Sequence, residues 1–165
     1  MRALLLVFSI ALFSFSTAQP INETGQLIAE NASFSFTFGN STYEVSASRL
    51  NWYQANYACK IKGMTLVSIE SNAENEAIRT AVRDFLGVDG FWTSGNDLYL
   101  EGQYYWDSTG HALGPFLGWT SGQPAASSAS YENCICLGML INHMWNDLKC
   151  EDPYRFICEK SACVN

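Results

Sequence analysis

Gln123-Pro124-Ala125, Glu132-Asn133-Cys134, Trp145-Asn146-Asp147 and Cys150 follow one another in the C-terminal part of the chain, and the rest of the sequence is read from them. They set four oxygen-bearing side chains, Gln123, Glu132, Asn146 and Asp147, around two cysteines whose pairing would close a short loop. Two carboxylates and two amides suit a hard cation such as Ca2+, which takes about 6–8 oxygen ligands. The Cys2His2-type spacing of a structural zinc site is absent from the sequence.

Before this stretch, residues 1–18 read as a secretory signal peptide. Arg2 supplies the positive start, residues 3–15 are largely apolar, and Ser16-Thr17-Ala18 is a small-residue cleavage site. The run is too short to span a bilayer, and no later stretch reaches the ~20 apolar residues required, so a secreted, extracellular location is expected. The net charge is −7, and removal of Arg2 makes it one unit more negative. That disfavours nucleic acid and anionic membrane, both of which reward basic patches. Residues 19–33 form a polar N-terminal segment. Sequons at Asn22, Asn31 and Asn40 admit glycosylation in a secreted chain. No heptad pattern specifies an oligomer.

The alternation Phe34-Ser35-Phe36-Thr37-Phe38 predicts a first strand with its aromatics on one face, and residues 43–46 continue or pair with it. Asn51 with Gln54 predicts a capping box at a first helix, which Gly63 ends; residues 64–69 read as a short apolar strand. Ser71 with Glu74 is the clearer cap of a second helix, whose core stripe is Ile78, Ala81, Val82 and Phe85, with Gly87 as its stop. Short aromatic strands follow near residues 91–93 and 104–106. A long loop over residues 110–130 is of a kind usually retained for function. Strands resume at 134–137, 144–148 and 154–158.

This order resembles the C-type lectin-like domain family, in its secreted, single-domain invertebrate form. The resemblance covers residues 34–160, leaving a short tail at 161–165. It includes Leu66-Val67-Ser68-Ile69, Phe91-Trp92-Thr93-Ser94-Gly95 and Phe156-Ile157-Cys158-Glu159. It implies an α+β fold: two helices on small antiparallel sheets with a long irregular loop, stapled by disulfides. In the family, a Gln-Pro-Asp or Glu-Pro-Asn triplet, a Glu two residues before a cysteine and a Trp-Asn-Asp before the next cysteine form a calcium and sugar site. The proline is usually cis there. Carried over, Gln123, Glu132, Asn146 and Asp147 would ligate Ca2+ and hydrogen-bond a sugar. Gln at the first position resembles the galactose-type triplet. The departures are Ala125, where the family has a carboxylate or amide, and a loop before Glu132 that is one residue longer.

Six cysteines in a short secreted chain imply disulfides. The resemblance selects Cys59–Cys158 and Cys134–Cys150. Cys136 and Cys163 remain, and an intrachain bond between them is expected, with an intermolecular bond or two free thiols as alternatives. Trp92, Trp106 and Trp145 are expected in the core; between Pro124 and Glu132 the single aromatic available to stack on a sugar is Tyr131. The chain has two histidines, His111 and His143, and no Gly-x-Ser-x-Gly motif, so no enzyme is expected. The expectation is a secreted, calcium-assisted carbohydrate-binding protein for glycans on cells or microbes. The competing one is a protein-interaction domain with the same fold and a degenerate site, resting on Ala125.

Overall fold

A computed structural model of the chain describes residues 33–85, 89–124, 131–138 and 144–161. These belong to one compact unit, Asn31–Asn165. The expected signal peptide, the residue-19–33 segment apart from Ser33, Gly87, Ala125, His143 and the tail beyond Ser161 lie outside the described residues, as do the sequons at Asn22 and Asn31.

The described strands are β1 (Phe34–Phe38), β2 (Ser41–Val45), β3 (Thr65–Leu66), β4 (Phe91–Asn96), β5 (Tyr105–Trp106), β6 (Cys134–Leu137), β7 (Trp145–Leu148) and β8 (Arg155–Ser161). They form one sheet in the order β1-β2-β8-β4-β6-β7, with β3 added to β8 and β5 to β4. The second and last described strands, β2 and β8, pair antiparallel, Tyr43 opposite Glu159. Among the described strands, β4 and β8 are the one parallel pair. The second segment predicted after the Phe34–Phe38 alternation is the partner of that strand, joined to it by a tight turn through Gly39 at φ 57°. Of the strand predicted over residues 64–69, Thr65 and Leu66 pair with β8, and Val67 and Ile69 are core residues without a ladder.

Helix α1 (Trp52–Lys60) starts at Asn51, whose side chain accepts from the Gln54 amide while Gln54 reaches back, a complete capping box. Helix α2 (Asn72–Ala81) starts at Ser71, which accepts from the Glu74 amide. The box expected to be clearer here is not closed, because the Glu74 carboxylate accepts from the Tyr43 hydroxyl at 2.7 Å and from the Glu70 amide instead. A tertiary partner therefore outcompetes the local cap. The α2 stripe survives in part: Ile78 and Val82 are fully buried, while the chain tightens into a 3-10 turn at Arg83–Phe85.

The core has two clusters. One gathers Tyr43, Val45, Ile78, Phe91, Trp106, Ile135, Trp145 and Ile157; the other gathers Trp52, Leu66, Trp92, Phe156 and five cysteines. Trp92, Trp106 and Trp145 are all at most 1% exposed, core residues as their size suggested. Cys59–Cys158 ties α1 to β8, and Cys134–Cys150 ties β6 to the turn after β7. Of the pair expected between Cys136 and Cys163, Cys136 carries a free, buried thiol, and Cys163 lies outside the described residues. Cys136 shares a face of β6 with Cys134, and that face is buried in the second cluster. Burial pushes its thiol pKa well up.

Candidate functional site

Trp145 is the anchor from which the site is built. Its ring is fully buried and meets Trp106, Phe116 and Trp119 edge-on at centroid distances of 5.3, 5.4 and 5.9 Å. Its indole N–H donates to the side-chain oxygen of Asn75, itself fully buried in α2, at 3.1 Å. Backbone bonds then lay the long loop on β7: Trp145 donates to the Gly118 carbonyl, and Thr120 donates to that of Trp145. Gly118 is needed for this approach, since a Cβ there would come within 2.6 Å of the Trp145 ring. The loop turns back on itself through a Gln123-to-Thr120 bond, with Gly122 at φ 87°, and the Gln123–Pro124 peptide is cis. The stretch before Gln123 is thus pinned by Phe116 and Trp119.

Asn146 and Asp147 follow Trp145 on β7, paired with Cys136 and Ile135 of β6. They are 6% and 2% exposed. Glu132 stands just before β6, and Tyr104 connects the two sides: its hydroxyl donates to Asp147 Oδ2 at 3.0 Å and lies 3.4 Å from the Glu132 carbonyl. Burial, followed by the charges of Asp147 and Asp97, raises the Tyr104 pKa far above its usual value, so it stays a neutral donor. Tyr104 thus holds the Glu132 backbone and the Asp147 carboxylate at one end of the sheet, and Gln123 lies on the loop that is stitched to Trp145, the residue before Asn146.

The remaining oxygens decide what this end can hold. Gln123 Oε1, Asn146 Oδ1 and Asp147 Oδ1 are each buried with no hydrogen-bond partner. A buried acceptor left unsatisfied costs about 1–3 kcal/mol, so three on one predicted ligand set call for a cation or for water. A carboxylate and two amide oxygens are donor types that suit a hard divalent cation, and the partly exposed Glu132 is the second carboxylate of the predicted set. Among the described residues no three His, Cys, Asp or Glu side chains gather as a metal site, and two of the four predicted ligands are amides. The position of Ala125 is outside the described residues.

A model of the family described as the Lectin C-type domain matches residues 48–160. The chain belongs to the C-type lectin domain family. Among its relatives, C-type lectin 37Db of Drosophila melanogaster is 32% identical over 127 residues, covering 76% of this chain and 81% of that one. C-type lectin domain family 3 member A of Mus musculus is 35% identical over 118 residues, covering 71% of this chain and 58% of the longer relative. In structure, the mouse scavenger receptor C-type lectin carbohydrate-recognition domain is similar at a TM-score of 0.66 and 26% identity, covering 79% of this chain and 96% of that domain. The α+β fold expected from the sequence, with its two long-range disulfides, is the fold observed.

Two residues of this C-type lectin domain's site escaped the sequence reading. Tyr104 looked like one aromatic of a short strand, and its reach to Asp147 depends on β5 packing beside β4. Asp97 is 2% exposed beside the same end: its Oδ2 accepts from the Gly102 amide at 2.8 Å, while its Oδ1 has no partner. Burial, then the charges of Glu101 and Asp147, raises the Asp97 pKa. The available signal was the turn chemistry of Asn96-Asp97 ahead of Gly102. His111 is exposed and bonds through its backbone, so it has no part in the site.

Proposed function

We propose that this C-type lectin domain is a secreted carbohydrate-binding protein that holds its sugar through Ca2+ at Gln123, Glu132, Asn146 and Asp147. The observation that carries the reading is the set of orphaned buried oxygens on Gln123, Asn146 and Asp147. The ion, when bound, supplies coordination for two neighbouring sugar hydroxyls. Asp147 and Glu132 accept from those hydroxyls, Asn146 and Gln123 donate to them through their amide N–H groups, and Tyr104 holds Asp147 in place. Gln123 favours a galactose-type ligand. Tyr131, 78% exposed at a left-handed φ of 52° next to Glu132, offers an aromatic face for the sugar's apolar side. Glycans on cell or microbial surfaces are the partners this chemistry fits. A single such site binds weakly, so avidity comes from clustered glycans or assembled copies.

Secretion rests on the signal-peptide pattern of residues 1–18 and on the sequons at Asn22, Asn31 and Asn40. A mass shift on glycosidase treatment of the secreted chain tests it. The site itself is tested by calorimetric titration with Ca2+ and a glycan array read with and without chelator. Heat on calcium addition and array signal lost in chelator are expected; no heat and a chelator-insensitive array would sink the proposal. A second reading, a protein-interaction domain with a degenerate site, is favoured by the methyl of Ala125 where a ligand belongs in the family pattern. An Ala125→Asp variant that gains calcium and sugar binding absent from the native chain would establish that reading.

A further inference from the structure

Tyr104 stands just before β5 and Tyr105 opens it, and their side chains meet different partners. Tyr104 points its hydroxyl at Asp147, whereas the Tyr105 ring meets Tyr99, at a centroid distance of 5.2 Å and a 50° tilt. Beside those two rings lies an open cleft of about 460 Å3, lined by Tyr99, Leu100, Gln103, Tyr105, Asp107 and Gly110. Nothing in the calcium reading uses it.

The loop presenting Tyr99 is built rather than loose. Buried Asp97 takes the Gly102 amide on its carboxylate and the Leu100 amide on its carbonyl, and Gln103 closes a further turn onto Leu100. Gly102 stands at φ 77° to allow that turn. Yet Tyr99 is 85% exposed and Leu100 56%, so an ordered loop holds a large aromatic face out to solvent. Across the cleft, Asp107 is oriented by the Asn56 amide at 2.9 Å and by Lys60 at 3.7 Å.

We propose that this cleft is a second carbohydrate subsite, independent of calcium, that takes a neutral pyranose ring. The exposed Tyr99 face and Leu100 would cover the apolar C–H face of the sugar, and the Gln103 amide and Asp107 carboxylate would hydrogen-bond its hydroxyls. The Tyr99 and Tyr105 rings already touch, which leaves no gap between them for the cation of an aromatic cage. The Asp107 carboxylate and the net charge of −7 disfavour anionic sugars. A few hundred Å3 is the size of cleft that encloses a small ligand. The inference rests on the glycan-binding reading for the class of ligand, and on different residues for the site.

The test is NMR titration of the whole chain in chelator, with a neutral galactose-terminated disaccharide, a neutral β-linked glucose disaccharide and a sialylated sugar as probes. Shifts at Tyr99, Leu100, Gln103 and Asp107 are expected with a neutral probe, and weaker ones with the sialylated sugar. Tyr99→Ala should weaken binding roughly five- to tenfold, and Tyr99→Phe should retain it. Tyr99 is exposed, so the melting temperature of Tyr99→Ala should match the native one. Asp147→Asn, which breaks the proposed calcium site, should leave these shifts unchanged. If calcium binding fails while they persist, the subsite stands alone. Absence of shifts for both neutral probes, dependence of the shifts on calcium, or indifference to Tyr99→Ala would overturn the inference.

Discussion

Calcium should stabilise the fold by an amount set by the oxygens that have no protein partner. Gln123 Oε1, Asn146 Oδ1 and Asp147 Oδ1 are buried and unpartnered, and each such acceptor costs about 1–3 kcal/mol until something coordinates it. An ion that binds only the folded chain adds RT ln(1 + [Ca]/Kd), roughly 2.7 kcal/mol at a hundredfold excess over Kd. For a domain of this size 1 kcal/mol corresponds to roughly 3–5 °C, so saturating calcium should raise the melting temperature by about 10 °C. Asp147→Asn separates the ion from the fold: the amide oxygen can still accept from Tyr104, while the charge that attracts the cation is gone. That variant should melt within a few degrees (roughly) of the calcium-free native protein and show almost no rise with calcium. The assay is circular dichroism melting in calcium, in magnesium and in chelator, with limited proteolysis alongside. Magnesium should do less, since it dehydrates reluctantly and demands near-octahedral geometry. Chelator should speed cleavage after Gly122, because Phe116 and Trp119 hold the earlier part of the loop on Trp145. Identical melting in calcium and chelator, or a full calcium response in Asp147→Asn, would refute the reasoning.

Three further outcomes test the framework. Asp89→Ala takes the carboxylate 2.6 Å from the 9%-exposed Arg155, leaving that guanidinium on the Ser46 carbonyl and the Phe85 ring; denaturant unfolding should show a loss of about 3–5 kcal/mol, and a loss below about 1 kcal/mol would contradict the buried pairing. Burial raises the Glu74 pKa despite the Tyr43 hydrogen bond, so the folded state holds that proton to higher pH than the unfolded chain. Its stabilisation is fully present below the unfolded value and is lost as pH rises through the folded one. Unfolding free energy should therefore fall across the window just above the usual carboxylate range in the native protein, and less in Glu74→Gln; parallel profiles would argue against it. Cys136 should resist alkylation in the native state and react on unfolding, as mapped by peptide mass spectrometry. Rapid native labelling, or a peptide linking Cys136 to Cys163, would show that the thiol is not sealed.

Much of this fold is legible in short spans of sequence, because the decisive forces there are local. Alternation places the aromatics of β1, and the Asn51 box starts α1; the family resemblance offers Gln123, Glu132, Asn146 and Asp147 as the ligand set proposed above. The cysteines at 59, 134, 150 and 158 pair as the family resemblance implied. Other features depend on what packs against what, and no local rule carries that. Glu74 abandons its box because β2 brings Tyr43 to it. Cys136 is a buried thiol packed with Trp92 and Phe156, a burial set by the tertiary packing. Asp97 and Tyr104 join the site only because β5 and β6 flank β4. Residue chemistry names the atoms able to hold an ion or a sugar. Burial and sheet order, which are long-range properties, decide that three of those oxygens are left without a protein partner and that Tyr99 is left facing water.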